Sequence, residues 1–189
     1  MQGLYDPARH EPLTATAWNE AAAHAAIVHI AASAEAEFDA VQGNWPLHPL
    51  DEPDYPVGRQ RDLYFGAVGA IWALRDLAAS DVIELFTDFM PCIAAAPEQL
   101  RVVMSPYPHG SASFLCGESG ALLLQWQATR RADVAQRLCD VVEGNLHNAT
   151  QEALWGNAGT VLAAIHMRFY VFAHAHRRLV RSDAVCPQA

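Results

Sequence analysis

Leu154-Trp155-Gly156-Asn157-Ala158-Gly159-Thr160-Val161 is the third statement of a pattern already spelled by Tyr64-Phe65-Gly66-Ala67-Val68-Gly69-Ala70-Ile71 and Leu115-Cys116-Gly117-Glu118-Ser119-Gly120-Ala121-Leu122. Each places an apolar residue before Gly-x-x-Gly and an apolar, helix-prone run after it. The first glycines lie 51 and then 39 residues apart, a length that fits one inner and one outer helix per unit. A glycine inside a helix costs about 1 kcal/mol relative to alanine, so three such pairs imply a structural return. The first glycine of each pair reads as a sharp turn into the helix. The second shares its face and lets a neighbouring backbone approach closely. Aligned helix N-termini would share one rim, whose free N–H groups attract anions or carboxylates. Packing alone also accounts for the glycines. Gly-x-x-Gly here lacks the Lys-Ser/Thr of a phosphate loop and is shorter than the dinucleotide fingerprint. Gly117-Glu118-Ser119-Gly120 is not a nucleophile elbow, which needs one more residue and a preceding strand.

Around these units the chain is rich in alanine and leucine with few β-branched runs, a helical composition. The first helix is expected from about Thr16 to Val41, capped by Thr14 or Thr16, with Trp18, Ala22, Ala25, Ala26, Val28 and His29 near a 3.6 period and Gly43 at its end. Four prolines between Gly43 and Gln60 (Pro46, Pro49, Pro53, Pro56) exclude helix and central strand there. Further helices are expected near Leu63–Ala79, Asp81–Phe89, Pro97–Val103, Ser113–Thr129 and Arg131–Glu143, and from Asn157 past Met167.

The 189 residues suffice for one domain with a real core. A hydrophobic fraction of 52% excludes disorder. No apolar run is long enough to span a membrane, and Met1-Gln2-Gly3-Leu4-Tyr5-Asp6-Pro7 does not read as a signal peptide. A cytoplasmic protein is therefore expected. The net charge is −9, and every one of the 12 basic residues is arginine; such a surface repels phosphate backbones, so nucleic acid is not an expected partner. The four cysteines, Cys92, Cys116, Cys139 and Cys186, form no CxxC or Cys-His pair, and disulfides are not expected. Cys92, Cys116 and Cys139 fall in apolar segments, where cysteine acts as a small buried hydrophobe.

Two stretches carry a family resemblance. One is Trp45-Pro46-Leu47-His48-Pro49 with Asp51, followed by Asp62 through Leu74; the other runs from Asn148 through Ala164. With three glycine pairs in register, the segment from about Trp45 to Met167 resembles the N-terminal portion of the lanthionine synthetase C-like (LanC-like) family. The resemblance implies a partial α/α toroid over residues 1–167, followed by a divergent Arg/His-rich tail, 168–189. Complete members hold a zinc through two cysteines and a histidine and add Cys thiols to dehydroalanine or dehydrobutyrine. The segments supplying that zinc are missing here, so the resemblance gives no metal ligand and no cofactor for this chain. Truncation or a shifted frame would explain the tail. The chain alone is expected to be inactive.

Among candidate site residues, Glu152 lies four positions before Gly156, the offset of an acidic family residue, and Asp62 lies at the same offset from Gly66. A helix-start acid is the plainer explanation. His48, beside Asp51 in the proline-rich loop, is the second candidate, with a loop-orienting hydrogen bond as its plain role. His24 and His29 are expected to be packed or half-exposed. His174 and His176 do not share a helix face and make a poor metal pair. Two other functions compete: a non-catalytic repeat module that binds peptide or self-associates through an open toroid edge, and a toroid glycosidase using two of Asp51, Asp62, Glu118 and Glu152.

Overall fold

The computed structural model describes residues 17–47, 61–107 and 109–168. They form α1 (Glu20–Glu37), α2 (Ala67–Ala79), α3 (Met90–Met104), a 3-10 turn (Gly110–Ala112), α4 (Glu118–Thr129), α5 (Ala132–Gly144) and a last helix, α6, over residues 157–168. Among the described residues there is no strand, only an isolated bridge between Asp39 and Asn44. The described residues are thus all-α, and no described helix is long and apolar enough to cross a membrane.

Helix α4 divides the core. It is buried from Glu118 through Leu124 and again at Trp126, as a helix apolar all round must be. Ala121 and Leu124 pack with Val68, Ile71 and Leu74 of α2 and with Ile93, Ala96 and Leu100 of α3. Leu122, Leu123 and Trp126 pack instead with Val134 and Leu138 of α5 and Ala163 of α6. Glu98 of α3, Glu118 of α4 and Arg137 of α5 tie the three helices together: Arg137 Nη2 lies 2.7 Å from Glu118 and 3.5 Å from Glu98.

The glycine pairs explain how α2, α4 and α6 begin. A Cβ on Gly69 would collide with the carbonyl oxygen of Leu63, one on Gly120 with that of Phe114, and one on Gly159 with that of Ala153. In every unit the obstacle is the carbonyl six residues earlier. The expected neighbouring backbone is therefore the chain's own turn, folded back on the first helical residues. Two of the first glycines work the same way: a Cβ on Gly117 would strike Ser111 O, and one on Gly156 would strike Thr150 O. The φ angles of Gly66 and Gly117, −123° and −110°, need no glycine. At Gly117 and Gly156 it is space, and not a left-handed backbone, that demands one.

Several element boundaries differ from the sequence expectation. Helix α1 starts later, capped by Asn19 Oδ1 accepting from Ala22 N at 2.9 Å. It stops at Glu37, because Asp39 Oδ1 gathers the N–H groups of Val41 and Gln42 into a turn closed by Gly43 at φ +66°. Only Ala31 of α1 is buried; Trp18 is 82% exposed, and His24 and His29 are exposed as well. The helix touches the core through Ala31, Ala34 and Phe38. Residues 81–89 are not helical. Asp81 takes φ +58°, and the Glu35 carboxylate accepts from Phe86 N and Thr87 N at 2.9 and 2.7 Å, replacing the carbonyls a helix would offer. Helix α3 begins at Met90, where Pro91 holds the first-turn position that suits proline, and it continues through Pro97.

A buried polar bridge fixes α6 to the end of α5. Asn145 Nδ2 donates to Thr160 Oγ1 at 3.3 Å, and Asn148 Nδ2 donates to Asn145 Oδ1 at 3.2 Å. Asn157 Nδ2 reaches back to Leu146 O at 3.2 Å.

Gly120→Ala should lower the unfolding free energy by at least about 2 kcal/mol, an overpacking cost against a backbone oxygen that cannot retreat. Gly144 has nothing within 4 Å of an added Cβ, so Gly144→Ala should shift stability by no more than about 1 kcal/mol, toward the more stable side. Urea denaturation of the two variants side by side checks both; equal effects would contradict the steric account.

Candidate functional site

The residue four before each first glycine is polar: Asp62, Ser113 and Glu152. Asp62 Oδ1 accepts from Tyr64 N at 2.9 Å and Phe65 N at 2.6 Å. Ser113 Oγ accepts from Cys116 N at 3.0 Å. Glu152 accepts from Leu154 N at 2.6 Å through Oε2 and from Trp155 N through Oε1. One local device recurs three times, a side-chain oxygen capping the turn that leads into the glycine-paired helix. These N–H groups belong to the turns ahead of the helices; the N-cap positions of α2 and α4, Gly66 and Gly117, carry no side-chain cap.

Cys116 lies within this set. Its thiol is pushed up to about 12, first by burial and then by the negative fields of Asp62 and Glu152. At neutral pH it remains a thiol and a poor nucleophile. Burial also raises Asp62 above the ordinary carboxylate range, against the pull of the Phe65, Tyr64 and Gly66 N–H groups. Glu118 is raised by burial too, opposed by its hydrogen bonds and ion pair with Arg137.

Of the candidates from sequence, Glu152 is exposed at the surface of the third turn, with both carboxylate oxygens on backbone N–H groups. The six repeat glycines occupy the starts of α2, α4 and α6. His48 and Asp51 lie outside the described residues, as do Cys186, His174, His176 and the tail after Arg168. Ser113 escaped the sequence reading because only acids were compared at that offset; extending the repeat alignment four residues upstream would have found it. Cys139, expected to be buried, is exposed on α5, where α5 turns a strongly polar face outward.

The two-thiolate, one-imidazole centre of complete LanC-like members does not fit the described residues. Cys92 packs in the α2–α3 core and donates to Gly43 O at 3.0 Å, and burial raises its pKa. Cys116 belongs to the second turn, and Cys139 stands alone at the surface. His166 is held by rings, stacked on Phe114 at 6.0 Å and edge-on to Trp72 at 6.1 Å. No three of these groups converge among the described residues. A separate open groove of about 530 Å³ runs between α1 and residues 83–87, with Val28, Ala31, Ile83 and Phe86 as its apolar lining and Glu35 and Glu84 as its acids.

The chain matches no family model, no curated protein and no solved structure.

At pH 8, iodoacetamide should modify Cys139 quickly and leave Cys116 intact, since a thiol with a pKa near 12 has a thiolate fraction on the order of 10⁻⁴. Peptide mass spectrometry reads this, and comparable labelling of the two would contradict it. Asp62 gives a pH prediction of defined sign. Its folded pKa is raised from 3.8, so the stability it contributes is present at low pH and is lost as pH climbs through the raised value. Asp62→Asn keeps the Oδ1 acceptor and removes the charge. Its stability relative to the native chain should therefore improve from pH 4 to pH 7 in urea melts; a constant difference would count against buried ionisation.

Proposed function

We propose that this chain is a partial α/α toroid of the LanC-like kind that serves as a non-catalytic interaction module, with no thioether-forming activity of its own. The observation that carries this reading is the engagement of the chemically capable side chains. Asp62, Ser113 and Glu152 hold turns, Glu118 holds Arg137, and Cys116 is kept protonated between two carboxylates. A nucleophile or general base must be positioned toward a substrate, and these groups are instead positioned by the turns and the ion pair that they hold. The same engagement argues against the paired-carboxylate glycosidase. Three free cysteines among the described residues suit a reducing compartment, in line with a cytoplasmic location.

On this reading the three glycine-paired units supply a wall of stacked helices, and any thiol addition belongs to a zinc-bearing partner or segment outside the described residues. The test is direct. The purified chain is incubated at neutral pH with zinc and a peptide carrying one dehydroalanine and one cysteine, and thioether formation is followed by mass spectrometry. The rate should equal that of the protein-free control. Acceleration of more than about tenfold, some 1.4 kcal/mol of barrier, would overturn the proposal.

A further inference from the structure

The units join one another by a knob over a glycine that repeats position for position, and by a bond to the same carbonyl from a donor that changes. The residue three before each first glycine is Leu63, Phe114 or Ala153; two before it stands Tyr64, Leu115 or Leu154. Leu63 of the first unit reaches over Gly120 of the second, where an added Cβ would meet its side chain at 3.1 Å. Phe114 of the second unit covers Gly159 of the third in the same way, at 3.2 Å. The carbonyl of Leu115 accepts from Leu63 N and Tyr64 N at 3.0 and 3.1 Å. The equivalent carbonyl of Leu154 accepts from Ser113 Oγ. Each unit therefore offers a knob and a donor on its front and a carbonyl and a glycine on its back.

Two of these surfaces lack a counterpart among the described residues. On the third unit the front is Ala153, exposed, with no acceptor for its N–H. On the first unit the back is Gly69, with no side chain of another unit over it, beside Tyr64, which is 58% exposed and has no donor on its carbonyl. Burial tells the same story. Leu122, Leu123 and Trp126 of α4 are buried, whereas Val161, Leu162 and Ile165, at the same positions of α6, are 39%, 38% and 42% exposed.

We propose that the front of the third unit and the exposed face of α6 dock the first unit of a second copy of this chain, head to tail, continuing the interface that already joins the units. Ala153 N–H meets Tyr64 O of the next copy, and the Ala153 methyl seats over its Gly69. The contact is heterologous, so it propagates to chains or closes into rings and does not stop at a two-fold dimer. This inference rests on the contact register and not on the LanC-like reading.

Sedimentation velocity over a concentration series tests it on the full chain. Species larger than a dimer should grow with concentration, and Ala153→Arg and Leu162→Arg should each weaken association at least tenfold with unchanged circular dichroism. Both positions are exposed, so neither variant need disturb the fold. Cysteine pairing gives an independent readout in a Cys139→Ser, Cys186→Ser background. Ala153→Cys and Tyr64→Cys chains, mixed and oxidised, should cross-link to each other and neither to itself. A monomer at every concentration, self-linked Ala153→Cys dimers, or association indifferent to Leu162→Arg would overturn the proposal. So would finding Leu162 covered within a monomer by residues 169–189.

Discussion

Each of α2, α4 and α6 starts in a space that a methyl group would close. The carbonyl six residues upstream of each second glycine lies against the first helical turn, at Leu63, Phe114 and Ala153. That approach fixes the angle between turn and helix, and a polar side chain at the head of the turn keeps the angle by binding the next N–H groups. Stacking follows from it. With the turn pressed on the helix, the residue three before the first glycine projects toward the next unit and covers its second glycine. The polar caps and the glycines are thus one mechanism, and losing either would free the other.

How much of this was legible beforehand depends on how local the cause is. The glycine pairs stood out because glycine is costly within helices and these recur in register. Their partner carbonyl could not be named, because the sequence does not say whether the approaching backbone belongs to the same unit. Helix α1 misled because alanine satisfies any helical period; Ala22, Ala25 and Ala26 proposed a buried face that the fold does not use. Residues 81–89 look helical by composition, yet a carboxylate from Glu35, about fifty residues earlier in sequence, decides their conformation. Among the site residues, Glu152 and Asp62 were found through the offset of an acidic residue in the LanC-like resemblance, while Ser113 needed the recognition that a hydroxyl can do the work of a carboxylate in a turn.

The middle unit shows what position in the array does to chemistry. Phe65, Cys116 and Trp155 occupy the same place, just before the first glycine. In the outer units that place is open, and Phe65 and Trp155 are 56% and 40% exposed. In the middle unit it is closed on both sides, and a small thiol fills it. The carboxylates that cap the flanking turns add a negative field at that thiol. Their field and the burial act in the same direction, so the thiol stays protonated. A catalytic cysteine needs the reverse: a cation, a metal or a helix N-terminus free to stabilise the thiolate. The second turn donates its Cys116 N–H to Ser113, and the charges that act on the sulfur are those of Asp62 and Glu152. A hydroxyl-capped turn set between two acid-capped ones therefore encloses a thiol and, by the same electrostatics, works against its use as a nucleophile.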